Sequence, residues 1–180
     1  MFEFKRKLQK VFDWAAEHRC YKTVRILLNE GTVEPSTKDN LLLNKAVCRQ
    51  VEKMVRLLLS DKRVSPSELT FKLAVELENI NIINLLLKDN RVNPALENNL
   101  PVKEIARKGN LRILSLLLRD DRVDPSTDDN YAIKMATIKG HTEIVDMLLK
   151  HPKIDLDEVK PNILKCAQIK NLEQVIALFN

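Results

Sequence analysis

Apolar residues recur along the chain at helical spacing within short runs and at a near-constant step between them. Five runs close on an apolar triplet: Ile26-Leu27-Leu28, Leu57-Leu58-Leu59, Leu85-Leu86-Leu87, Leu116-Leu117-Leu118 and Met147-Leu148-Leu149. The same step carried forward reaches Leu178-Phe179. Before each triplet stands a further pair, from Thr23-Val24 through Met54-Val55, Ile82-Ile83, Ile113-Leu114 and Ile144-Val145 to Val175-Ile176. Apolar positions at i, i+3 and i+4 predict an amphipathic helix with one face turned to a core. Seven residues after each triplet begins comes a Val-x-Pro tripeptide, at Val33-Glu34-Pro35, Val64-Ser65-Pro66, Val92-Asn93-Pro94 and Val123-Asp124-Pro125. Ile154-Asp155-Leu156 is a degenerate fifth copy, and the starts step by 31, 28, 31 and 31 residues.

A second set of columns lies upstream of these helices. Phe12, Leu43, Phe71, Val102, Ile133 and Leu164 align, and three residues later so do Ala15, Ala46, Ala74, Ile105, Ala136 and Ala167. Small residues let helices approach closely, so each repeat reads as a short first helix, a tight turn and a longer second helix. Proline fixes φ and lacks a donor, so Pro35, Pro66, Pro94 and Pro125 keep the second helix from continuing. Asp39-Asn40, Asn98-Asn99 and Asp129-Asn130 then suit finger-like turns, because their side chains satisfy nearby backbone groups and tolerate left-handed φ. The expected fold is all-α: one domain over residues 1–180, built as a solenoid of six helix-turn-helix units near 2–32, 33–63, 64–91, 92–122, 123–153 and 154–180. The unit that starts at Val64 lacks three residues before Phe71, which predicts a shortened finger around Ser67-Glu68-Leu69.

Composition narrows the function classes. A chain of 180 residues that is 44% hydrophobic has the material for a core. Thirty basic against 25 acidic residues, a net charge of +5, are interspersed and select no class of partner. Cys20, Cys48 and Cys166 are odd in number and far apart, which suggests reduced thiols. No apolar stretch has the length of a membrane span, and charges at Glu3, Lys5, Arg6 and Lys7 interrupt any signal-peptide core. No membrane association is expected; the cytoplasm is the expected location, the nucleus a second.

The segment Ala136-Thr137-Ile138-Lys139-Gly140-His141-Thr142-Glu143-Ile144-Val145-Asp146-Met147-Leu148-Leu149 resembles the second half of an ankyrin repeat, whose period is about 33 residues. The resemblance extends over essentially the whole chain. The family's Thr-Pro-Leu-His opening is replaced, however, by Tyr131-Ala132-Ile133-Lys134 in the fifth unit. Its turn glycine survives as Gly109 and Gly140 but becomes Arg19, Gln50, Glu78 and Asn171 elsewhere. Non-glycine residues there are strained if φ is positive.

The resemblance implies a protein-binding groove with a floor made by the ends of the first helices and a rim of fingertips. By column, the floor is Arg49, Leu77, Arg107, Lys108, Ile138, Lys139 and Lys170. The fingertips are Lys38, Asn40, Glu68, Glu97, Asn99, Asp128 and Asn130. A basic floor with Leu77 and Ile138 fits an acidic segment of a partner protein. The same cations would also suit helix carboxyl ends, where they complement the dipole. The alternative is a nucleic-acid-binding module tracking phosphates, against which stand few aromatic residues, several of them in core columns.

Catalysis, cofactor and metal binding are not expected. Gly31, Gly109 and Gly140 are isolated and build no phosphate-cradling loop. His18, His141 and His151 lack a zinc-protease spacing, and no carboxylate pair forms a recognisable acid-base motif. A monomer is expected, with an end-to-end dimer as the alternative, because Ile163 and Ile176 lie near a face that a further unit would cover.

Overall fold

The computed structural model describes residues 2–179, apart from the side chains of Phe2, Lys38 and Asp39. Twelve helices and no strand occur among the described residues, as the all-α reading requires. The chain divides into two compact units, Met1–Val92 and Asn93–Asn180.

In the first unit, α1 (Phe2–Glu17) pairs with α2 (Tyr21–Asn29), α3 (Thr37–Cys48) with α4 (Glu52–Leu59), and α5 (Glu68–Glu76) with α6 (Ile80–Leu87). The first helices α1, α3 and α5 are neighbours in one layer, and α2, α4 and α6 in another. Between the layers lie Phe12, Leu43 and Phe71 from one side and Val24, Val55 and Ile83 from the other, all buried. Full burial of each such side chain stabilises by roughly 1.5–3 kcal/mol. Ala15, Ala46 and Ala74 are buried as well and admit the close helix approach that a larger residue would prevent.

The second unit repeats the pattern: α7 (Leu96–Lys108) with α8 (Leu111–Leu117), α9 (Thr127–Lys139) with α10 (Thr142–Leu149), and α11 (Leu156–Ile169) with α12 (Glu173–Ala177). Its core holds Val102, Ile133, Ile105, Ala136, Ala167, Leu114 and Val145. Val123 and Pro125 are buried, so the valine and proline of this tripeptide are packing residues as well as helix stops.

Each first helix ends in a left-handed residue. Arg19, Gln50, Glu78 and Asn171 have φ of 59°, 54°, 52° and 56°. They therefore adopt the positive φ that the family's turn glycine suggested, a conformation that costs most L-residues about 1–2 kcal/mol. It persists because the reversal lets the next amide turn back onto the helix: Cys20 N donates to Ala15 O at 2.8 Å, Val51 N to Ala46 O at 2.9 Å and Leu172 N to Ala167 O at 2.8 Å. Carbonyls that would otherwise be orphaned at the helix end are satisfied in this way.

The fingers differ from one repeat to the next. Glu97, Asn98 and Asn99 are left-handed, as are Asp128, Asp129 and Asn130, so regular helix in α7 and α9 begins only at Leu100 and Tyr131. In the shortened repeat no such turn exists. There α5 starts directly after Ser67, whose hydroxyl accepts from Thr70 N while Thr70 Oγ1 accepts from Ser67 N, a reciprocal cap. The helix α11 likewise lacks a left-handed entry and is capped by Asp155, which accepts from Asp157 N and Glu158 N.

Candidate functional site

The residues expected on the groove floor lie at the carboxyl ends of first helices. In the first unit, Arg49 caps α3 and Leu77 caps α5, and both are exposed. Arg49 Nη1 donates to Glu17 O at 3.4 Å. The Lys45 ammonium binds the Glu17 carboxylate and holds its pKa below the ordinary value, through the hydrogen bond first and the charge second.

In the second unit, the ends of α7, α9 and α11 present Arg107-Lys108, Ile138-Lys139 and Ile169-Lys170. Ile169 is 72% exposed and Ile138 41%, at matching positions of adjacent repeats. Lys108, Lys139 and Lys170 are exposed too. Arg107 is more committed: its guanidinium holds Glu104 at 2.7 Å, and its carbonyl lies 3.2 Å from His141 Nε2. The open part of this surface is therefore two isoleucine-lysine pairs.

The asparagines expected at the fingertips are instead buried. Asn40, Asn99 and Asn130 are 7%, 6% and 3% exposed. Asn40 Nδ2 donates to Ser65 O at 2.7 Å, and Asn99 Oδ1 accepts from Asp124 N at 2.7 Å. Each thus satisfies a backbone group in the Val-x-Pro segment of the following repeat. Asn130 Nδ2 reaches Glu158 Oε1 at 3.3 Å. Each is the last left-handed residue before regular helix, and at that place in the turn the side chain packs against the following repeat, which corrects their placement on the rim.

Glu68 and Glu97 are exposed. Asp128 is also exposed, yet its carboxylate receives Asn98 Nδ2 at 2.6 Å and the ammonium of Lys103, a side chain only 8% exposed. This finger is tied to the fold at its tip. The Lys38 side chain lies outside the described residues.

A recurrent contact went unread in the sequence. An aspartate and an arginine precede the Val-x-Pro step as Asp61-Lys62-Arg63, Asp89-Asn90-Arg91 and Asp120-Asp121-Arg122. Arg63 holds Asp61 at 2.6 Å while donating to Leu28 O at 3.0 Å in the preceding repeat and to Val33 O at 2.7 Å where its own repeat begins. Arg91 does the same with Asp89, Lys62 O and Val64 O. In the second unit Lys153 takes this role, with its ammonium 2.9 Å from Asp121 O and 2.8 Å from Val123 O. The arginine hydrogen bonds lower the pKa of Asp61, Asp89 and Asp120. The signal was the return of Asp-x-Arg in step with Val-x-Pro.

The three histidines have structural partners. His18 stacks on Trp14 with ring centroids 4.3 Å apart, His141 meets Arg107 O, and His151 Nδ1 accepts from Lys153 N at 3.3 Å. The three cysteines are free thiols, and among the described residues no cluster of three or more His, Cys, Asp or Glu could hold a metal. No described helix is long and apolar enough to cross a membrane.

A family model for ankyrin repeats, in three copies, matches residues 71–179, more than half of the chain. Neither the curated proteins nor the solved structures compared gave a match. With paired helices, left-handed turns and this match together, the chain belongs to the ankyrin-repeat family.

Proposed function

We propose that this protein is a non-catalytic interaction module, a scaffold or adaptor of six repeats over residues 1–180, whose second unit takes an acidic segment of a partner protein. The observation that carries this reading is the pair of exposed isoleucines, Ile138 and Ile169, each followed by an exposed lysine at the end of adjacent first helices. Ankyrin repeats are protein-protein interaction modules, and an exposed apolar residue framed by like charges is the usual anatomy of a contact that buries a side chain and selects by charge. Arg107 and Lys108 extend the basic side of the surface. Free thiols at Cys20, Cys48 and Cys166 support a reducing compartment, the cytoplasm.

The test is affinity capture from host lysate after nuclease treatment, with wild type beside Lys139→Glu/Lys170→Glu. A protein partner retained by wild type and reduced at least tenfold by the variant supports the reading. Equal retention by both, or capture that disappears with nuclease, overturns it.

A further inference from the structure

In the first unit the second helices α2 and α4 enclose a cleft of about 650 Å³, within the range of ligand-sized pockets. Its apolar lining comes from Leu28 and Leu57. Four cations border it: Arg25 on α2, Lys53 and Arg56 on α4, and Lys62 beyond the end of α4. Asp61, the acid among the lining residues, does not neutralise them, because both of its carboxylate oxygens are held by Arg63. Lys53 lies over the Tyr21 ring, 4.5 Å from its centroid, and Arg56 makes only an exposed contact with Glu52 at 3.1 Å. Such contacts are worth a few tenths of a kcal/mol to about 1 kcal/mol and yield to a better anion. The side chains of Arg25 and Lys62 make no ion pair or hydrogen bond among the described residues.

The layout selects among anions. Among the lining residues only Tyr21 and Lys53 lie in the first turn of a helix, and Tyr21 N already donates to Arg19 O at 2.9 Å, so the lining offers no converging set of first-turn amides to cradle a compact phosphate. The cations are strung along the cleft instead. Lys53 and Lys62 lie toward opposite ends of α4, whose eight residues span about 12 Å at 1.5 Å per residue, the length of about four extended residues. Carboxylates three to four residues apart on a peptide match that spacing, and an apolar side chain between them would meet Leu28 and Leu57.

We propose that this cleft is a second docking site, on a face other than the first-helix ends, for an acidic peptide segment with an apolar side chain between its carboxylates. It does not depend on the surface assigned to the second unit. The experiment is a titration of the full chain, ¹⁵N-labelled, with a dodecapeptide of the repeating sequence Glu-Leu-Asp-Glu, followed by amide shifts. Saturable shifts at Tyr21, Arg25 and Lys53 are expected, and the Gln-Leu-Asn-Gln counterpart should not produce them. Arg25→Glu/Lys62→Glu should raise the Kd read from these amides at least tenfold with an unchanged circular dichroism spectrum. Lys139→Glu/Lys170→Glu should leave it within twofold, which separates this site from the other. Absence of shifts at these residues, equal shifts with the neutral peptide, or tighter binding of inorganic tripolyphosphate at the same amides would overturn the proposal.

Discussion

Gly109 shows how one residue ties two repeats together. Its φ is 89°, and a Cβ placed there would stand 2.6 Å from His141 Cε1. The imidazole rests on the bare backbone of this turn and contacts Arg107 O. Gly109→Ala would impose the left-handed penalty of about 1–2 kcal/mol and displace a ring whose hydrogen bond contributes about 1 kcal/mol. A loss of about 2–3 kcal/mol is expected from the urea midpoint. Gly140→Ala is the comparison: its Cβ would come no closer than 3.5 Å to Leu172, so only the conformational term applies. Equal effects of the two substitutions would show that the His141 contact contributes nothing. The sequence shows that turn residues are needed at these positions, since glycine and its replacements keep step with the helices. It does not show which side chain packs against which glycine, because His141 meets Gly109 across 32 positions of chain with no local pattern linking them.

At the scale of the element, adjacent repeats are joined in two directions. The Asp-x-Arg pair reaches back to carbonyls of the preceding repeat, and the left-handed asparagine reaches forward to the Val-x-Pro segment. The first joint makes stability depend on pH. Asp61, Asp89 and Asp120 titrate below their ordinary value in the folded chain, chiefly because an arginine donates to each. The unfolded chain therefore takes up protons first as pH falls. The stabilisation is fully present above about pH 4 and is lost through the lowered folded values. His151, depressed by burial and then by Lys153, acts with the same sign, its contribution complete above about pH 6.5 and fading as pH falls through its lowered value. Urea midpoints should therefore fall steadily from pH 7 to pH 5.5 and again to pH 3; a midpoint that rises over either interval would contradict this account. Helix positions were legible in the sequence because a periodic apolar face is a property of neighbouring residues. The burial of Asn40 and Asn99 was not, because it depends on backbone groups 25 residues further along. Sequence alone marks such residues as turn formers, and the place within the turn then decides which side chain faces solvent and which the core.

Across the whole molecule, core columns define the family while the surface between them is free to vary, so the partner is not written in the period. Ile138 and Lys139 were recognisable by column, but the higher exposure of Ile169 was visible only in the structure. So was the cationic cleft of the first unit, whose residues come from two helices about 30 positions apart. A net charge of +5 also favours the approach of an acidic partner. Raising salt from about 0.05 to 0.5 M should slow association with the captured partner more than it speeds dissociation, because screening acts on encounter before it acts on buried contacts. Surface plasmon resonance checks this, and a change confined to dissociation would argue against charge steering. The two-way joint also bears on heredity. A coding segment copied from one Asp-x-Arg-Val-x-Pro stretch to the next, about 31 codons, carries its own backward clamp. Where the finger asparagine is present it carries the forward hook as well. Unequal crossing-over in register at these stretches thus adds or removes a repeat with its fastenings intact, whereas a join out of register there would part an aspartate from its arginine.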